Sequence, residues 1–353
     1  MAQASKTVKA FAALQAGQTV SHWEFPAPEL TPHMIAVDVT HCGICHSDIH
    51  MMGDEWRGDT GGSPTTFPLV PGHEVIGTVS ALGSAVTGFK VGQRVGFGAQ
   101  GSSCHECALC AKGHEHNCTK FGGLYDPNHG GYAAHIRADS RFCFAIPDEI
   151  PSAHVAPLMC AGVTVFTPLA THLLPPGSRV GIVGIGGLGH LALQFANKMG
   201  YHVTAISTSP SKEAEARSLG AHAFLNSSDA AQMKAHGNAF PLIIYTASGN
   251  IDWNAYMGLV APEGKFVVCG LPEAKIQVSP MYLIGGSKTI VGSLVGGTKA
   301  IKEMLAFSAL HGVRPMIEEV EVGHGADADK VNAALTRVRE NKARYRCVMK
   351  YRV

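Results

Sequence analysis

The stretch Gly184-Ile185-Gly186-Gly187-Leu188-Gly189 narrows the folds open to this chain more than any other, because it follows the apolar run Val180–Val183 and opens a helical pattern. Strand, glycine turn and helix in that order make the first half of a βαβ unit. The glycines there permit a tight turn, the close approach of a pyrophosphate and close packing of helix on strand. The rhythm continues downstream. Strands are expected at Arg179–Val183, His202–Ile206, Leu242–Thr246, Lys265–Cys269 and Thr289–Val295, and helices at about Gly187–Met199 and Lys212–Leu219. Such alternation predicts an α/β architecture with a doubly wound parallel sheet.

Upstream the text changes to short β-like pieces separated by Gly and Pro, among them Met34–Val39, Val75–Leu82 and Arg94–Gly98, which predict a mostly β domain. After Gly297 come a helix at about Lys299–His311, short strands and a last helix near Ala328–Asn341, a tail expected to pack back on the first domain. The expected division is therefore residues 1–155 with 296–353, and residues 156–295. With 353 residues, 46% of them hydrophobic, both parts can bury a core. The Gly/Thr/Pro-rich stretch Gly53–Pro71 reads as a long loop of the kind that often carries function.

Charge and hydropathy exclude several classes. There are 28 basic against 27 acidic residues and no dense basic run, so nothing favours nucleic acid or an anionic membrane as partner. Apolar stretches are broken before the roughly 20 residues needed to span a bilayer. Met1–Gln18 lacks the continuous apolar core of a signal peptide, so the cytoplasm is expected. A small-molecule substrate fits this profile.

If the glycine loop takes a dinucleotide, the end of the second strand says which. An NAD site usually places Asp or Glu there, on the ribose hydroxyls. This chain has Ser207-Thr208-Ser209-Pro210-Ser211-Lys212, where the hydroxyls of Ser207, Thr208 and Ser209 and the ammonium of Lys212 suit the 2′-phosphate of NADP(H). A Ser-rich turn that caps the next helix is the plainer alternative. Ser293, in the last expected strand, is a further candidate for the cofactor site.

Ten cysteines are present, and four stand as Cys104-x2-Cys107-x2-Cys110-x7-Cys118 within 15 residues. Four thiolates satisfy tetrahedral zinc and leave no place for substrate, so the site should be structural. An iron–sulfur cluster uses the same ligands, but no second redox motif accompanies them. A second group is dispersed: Cys45-His46-Ser47-Asp48-Ile49-His50, His73-Glu74 and Cys160. Singly, each has an ordinary reading as a buried cysteine, a satisfied histidine or a surface carboxylate, and spacing alone does not join them.

Together these residues carry a resemblance. Gly43-Ile-Cys-His-Ser-Asp48, Gly72-His-Glu74 with Gly77 and Gly83, the four cysteines, Cys160-Ala-Gly-Val-Thr164, the Gly184–Gly189 loop, the Ser-rich strand end and Tyr345-Arg346 cover almost the whole chain. The sequence resembles the zinc-containing medium-chain dehydrogenase/reductase superfamily, in particular its cinnamyl-alcohol-dehydrogenase-like branch. The resemblance implies a Rossmann domain beside a GroES-like catalytic domain, two zinc ions per chain, NADP(H), and a primary alcohol or aldehyde, aromatic or allylic, as substrate. It makes Cys45, His73 and Cys160 the catalytic zinc ligands, with Glu74 nearby and Asp48 orienting a ligand histidine. Ser47 and His50 match a proton relay, Thr164 a residue near the nicotinamide, and His46 one that approaches the pyrophosphate. A homodimer is implied, paired through the edge strand near Ile290–Val295.

Two departures stand out. Cys45 and His73 are 28 positions apart, longer than the pattern implies, with the excess in Trp56–Phe67. Gln93 replaces an expected Asp in a turn. Trp56, Phe97 and Leu294 are candidates for an apolar substrate pocket. Two rival functions remain at this point: a zinc-free quinone or enoyl reductase on the same fold, and a non-enzymatic binding protein stabilised by the Cys104–Cys118 lobe.

Overall fold

A computed structural model of the chain describes residues 7–57, 64–125, 129–272 and 274–352. The chain divides into two units: Met1–Cys160 with Gly297–Leu310 and Arg314–Val353, and Ala161–Gly296 with His311–Val313.

The second unit is built on six parallel strands whose order in space is Ala223–Asn226, His202–Ser207, Arg179–Val183, Phe240–Tyr245, Val260–Val268, Thr289–Gly292. In chain order that is third, second, first, fourth, fifth, sixth, a doubly wound parallel sheet of the kind the alternation of strands and helices predicts. Val180–Val183 is buried along its whole length, which explains why its sequence is a continuous apolar run rather than an alternating one. The strand Ala223–Asn226 and the helices Ala230–Ala235 and Trp253–Leu259 are not among the sequence expectations. Both helices start at an aspartate, Asp229 and Asp252, whose carboxylate accepts two first-turn amides. The last strand stops at Gly292, three residues short of expectation.

The first unit centres on the eleven-residue strand Met34–Ile44. It pairs antiparallel with Val75–Leu82, His135–Asp139 and Arg346–Tyr351, while Arg94–Phe97 and Cys143–Ala145 extend the sheet on one side and Ile317–Val322 on the other. The C-terminal tail thus returns to this sheet, as expected. Gln93, the unexpected turn residue, accepts the Lys90 amide at 3.1 Å through its side-chain oxygen and so closes the turn before Arg94.

One stretch runs against the sequence expectation. Ser152–Thr171 is helical throughout, as Ser152–Pro157, a π turn Leu158–Gly162 and Val163–Thr171, and it is long and apolar enough to cross a membrane. Its most apolar window is 83% buried inside the protein, the signature of a core helix. Of the loop expected between Gly53 and Pro71, residues 58–63 lie outside the described residues.

Candidate functional site

The four-cysteine lobe closes on itself. Its Sγ–Sγ separations are 3.5 Å for Cys104–Cys118, 3.6 Å for Cys107–Cys110, 3.8 Å for Cys104–Cys110 and 3.9 Å for Cys107–Cys118. Four sulfurs about 2.3 Å from a central zinc ion stand about 3.8 Å apart, so these edges fit a tetrahedron. They are far too long for disulfides, and all ten cysteines are free thiols. Backbone amides aim at the sulfurs: Cys107 donates to Cys104 Sγ at 3.4 Å and Lys120 to Cys118 Sγ at 3.3 Å. These contacts favour thiolate, and bonds from the Glu106 and Cys107 amides draw the Cys104 pKa down to about 6.

The dispersed group comes together in the first unit. Cys45, His73, Glu74 and Cys160 each offer one ligand atom, all within 4.8 Å of one another and all buried. Three local structures deliver them. Cys45 caps the helix His46–Met52 directly after the central strand ends at Ile44. His73-Glu74 precedes the neighbouring strand, Val75–Leu82. Cys160 sits in the π turn, a rare geometry often found at functional sites.

Asp48 aligns this group. It is completely buried, and its carboxylate accepts the amides of Cys45 at 2.9 Å and Gly72 at 3.0 Å, Nδ1–H of His73 at 2.9 Å and the Tyr132 hydroxyl at 3.3 Å. With Nδ1 so occupied, His73 Nε2 is the atom turned toward the sulfurs, and it is buried without a hydrogen-bond partner of its own. A buried, unpaired imidazole nitrogen beside two cysteines is what a metal ligand looks like. Glu74 is fully buried and ion-paired through Oε1 with the buried Arg346, while its Oε2 has no partner. Burial pushes the Glu74 pKa up to about 8 against the pull of Arg346. The two thiols share a proton: the hydrogen bond from Cys160 and the charge of Arg346 hold Cys45 low despite burial, and the same bond holds Cys160 high. Neither Arg346, which the resemblance includes without a role, nor Tyr132 carries a sequence pattern that points to this site.

On the helix His46–Met52, Ser47 and His50 are half-buried and three residues apart, on one face. No hydrogen bond joins them directly. His50 Nδ1 is instead 2.5 Å from the Glu55 carboxylate, which is half exposed, and its ring lies 5.7 Å from that of Trp56. Nothing in the sequence singled out Glu55, since a lone exposed glutamate in a loop carries no pattern. Burial pulls the pKa of His46 down, and its ring is bonded to the Arg339 carbonyl. Phe97, expected to line a pocket, is fully buried sheet core, whereas Leu294 is 62% exposed.

In the second unit Gly184 has φ +88°, a conformation costly for any other residue, and its amide donates to Ile206 O at 2.9 Å. A side chain on Gly189 would strike the Gly184 carbonyl, whereas one on Gly186 would meet nothing within 4 Å. The loop is thus tight where helix meets strand and open at Gly186, with Gly187 and Leu188 leading into the helix Gly189–Lys198. Ser207 ends its strand with its hydroxyl accepting the Ser209 amide at 3.2 Å; Thr208 is exposed, and Lys212 Nζ donates to Ile185 O of the glycine loop at 2.7 Å. The Ser-rich turn and the glycine loop are therefore neighbours. Thr164 is buried in the helix Val163–Thr171. Ser293 follows the sixth strand, three strands from the loop, with its hydroxyl bonded to Cys269.

Comparison with known proteins agrees with this geometry. Residues 31–148 match the alcohol dehydrogenase GroES-like domain and residues 187–309 the zinc-binding dehydrogenase family. The chain is 42% identical over 328 residues to "Probable formaldehyde dehydrogenase AdhA" of Bacillus subtilis, covering 91% of this chain and 90% of that protein. It is 40% identical over 352 residues to "NADP-dependent alcohol dehydrogenase C 1" of Mycolicibacterium smegmatis, covering 97% of each. The chain belongs to the zinc-dependent alcohol dehydrogenases of the medium-chain superfamily. Among solved structures, a cinnamyl alcohol dehydrogenase of Sorghum bicolor superimposes with a TM-score of 0.90 at 38% identity over 98% of both chains. The family carries its expected architecture, a Rossmann-like and a GroES-like domain, and neither the zinc-free reductase nor the binding protein finds support among these relatives.

Proposed function

We propose that the chain interconverts primary alcohols and aldehydes with NADP(H), that Cys45, His73 and Cys160 hold a catalytic zinc ion, and that Cys104, Cys107, Cys110 and Cys118 hold a structural one. The observation that carries the reading is the unpaired Nε2 of His73, fixed in direction by Asp48 and facing two buried thiols. Three protein ligands leave the fourth position for substrate. When bound, zinc would supply Lewis acidity to the substrate oxygen and the nicotinamide would supply the hydride chemistry. Ser47 then passes the hydroxyl proton toward His50. Glu55 holds Nδ1 of that ring, which leaves Nε2 to exchange the proton, and the exposure of Glu55 gives the proton an exit to water. Arg346 anchors Glu74 and balances negative charge beside the sulfurs.

The cofactor preference rests on the strand end. Ser207, Thr208, Ser209 and Lys212 offer hydroxyls and an ammonium beside the glycine loop, with no carboxylate to repel a 2′-phosphate. The mycobacterial relative, named NADP-dependent, supports the same choice. Charge-assisted hydrogen bonds contribute about 1.5–3 kcal/mol each, so two of them separate the cofactors by about 10²-fold or more. With an aromatic or allylic alcohol, kcat/KM should favour NADP⁺ in the wild type. Ser207→Asp should move the ratio toward NAD⁺ by about that factor, and a wild type that favours NAD⁺ would reduce the turn to a helix cap. Aromatic, allylic and short aliphatic aldehydes in the same assay rank the substrates, with formaldehyde included because the Bacillus relative is named for it.

A homodimer through the edge strand Thr289–Gly292 is supported by the apolar side chains exposed around it, Leu271, Met281, Ile284 and Leu294. A reducing compartment such as the cytoplasm is supported by ten cysteines that are all free thiols.

A further inference from the structure

Glu115 lies between the third and fourth cysteines of the closed lobe, is buried, and takes no part in either metal group. Its side chain reaches across 183 positions of sequence to the helix Thr298–His311. Oε2 accepts the Thr298 amide at 3.1 Å and Oε1 the Thr298 hydroxyl at 2.8 Å. A carboxylate at that point occupies a first-turn amide that the helix cannot pair internally, and it places negative charge at the positive end of a 14-residue helix. The fit is close. A side chain on Gly297 would strike the carbonyl of Gly113, and one on Gly113 would meet Lys299 at 3.2 Å. One turn further, Ile301 is 4% exposed and packs where Gly98 faces the Met159 carbonyl, beside Cys160.

We infer that Glu115 is a positioning residue through which the four-cysteine lobe fixes the helix Thr298–His311, and through Ile301 and Met159 the backbone that presents Cys160. The closed lobe then supplies more than local stability: through Glu115 it sets the aim of a sulfur in the open site. The last link rests on Cys160 holding the catalytic metal, as proposed above.

The test compares the metal-loaded wild-type protein with Glu115→Ala, Glu115→Gln and the milder Thr298→Val. Hydrogen exchange at the amides of 298–305 reads the first link, and the thiolate-to-metal absorption of Co²⁺ exchanged into the open site reads the second. Glu115→Ala should speed exchange at 298–305 by roughly 2–30-fold, the cost of one lost helix cap, and should shift the Co²⁺–thiolate band. Glu115→Gln, which keeps an acceptor but not the charge, should fall between it and the wild type. Unchanged exchange at 298–305 in Glu115→Gln and Thr298→Val overturns the proposal even if Glu115→Ala fails to fold. Faster exchange with an unmoved Co²⁺ band also overturns it, since Glu115 would then be a helix cap alone. A wild type with no Co²⁺–thiolate band would instead sink the assignment of Cys45 and Cys160, and exchange would still decide the first link.

Discussion

The two cysteine-bearing groups solve the same chemical problem in opposite ways. In the closed lobe, 15 consecutive residues supply four sulfurs, two of them buried and two partly exposed, and amides of this stretch and of Lys120 aim at them. In the open group the donors come from a strand end, the approach to a second strand and a π turn 115 positions beyond Cys45, all buried, with His73 oriented by Asp48 and Glu74 by Arg346. A local cluster can recruit its metal as it folds and stabilise that fold, because the donors are already close in sequence. A dispersed cluster needs the sheet first. Its donors arrive preorganised, which suits a site whose remaining position must stay available for substrate.

If that contrast is right, the two sites fail differently. The largest effect is expected at the open site: Cys160→Ser or Cys45→Ser should lower kcat/KM by about 10³-fold or more, because several kcal/mol of Lewis-acid stabilisation disappear. Circular dichroism should show these variants folded. A variant that unfolds in step with its loss of turnover breaks the comparison. Next in size, Cys107→Ser should lower the thermal midpoint and remove one metal ion per chain, as measured by metal analysis, while the protein still turns over in the cold. Equal destabilisation by Cys107→Ser and Cys45→Ser would mean that both sites are structural. The smallest effect sharpens the contrast within the open group. Tyr132→Phe removes only the 3.3 Å bond to Asp48, and should weaken retention of the catalytic metal against a competing chelator toward the low end of about 10–100-fold. Metal in the four-cysteine lobe should be released from this variant at the wild-type rate.

The same contrast explains what sequence could reveal. Four cysteines at short spacing announce themselves, and the glycine loop was legible because its strand and helix flank it directly. Cys45, His73 and Cys160 are joined by no spacing rule, so only resemblance linked them before the sheet brought them together. Glu55 was hidden because its role depends on the turn that folds it back on His50, and Arg346 because its partner Glu74 is 272 positions away. The strand Ala223–Asn226 escaped notice because only Leu225 in it is fully enclosed, and so short a piece lacks a readable period. Ser152–Thr171 misled in the other direction. Its interior placement, invisible in the text, is what allows so apolar a helix in this fold.

Asp48 carries a consequence for anyone seeking to retune this enzyme. The carboxylate that orients His73 also accepts the amide of Cys45, the residue that starts the helix bearing Ser47 and His50. Under the proposed roles of His73, Ser47 and His50, metal affinity and proton delivery share one adjustable part and drift together under selection. Zinc starvation should loosen the first turn of that helix, and a substitution that frays the turn should make the ion leave faster. Variants selected for altered pH dependence would be found, unasked, among those with altered metal retention.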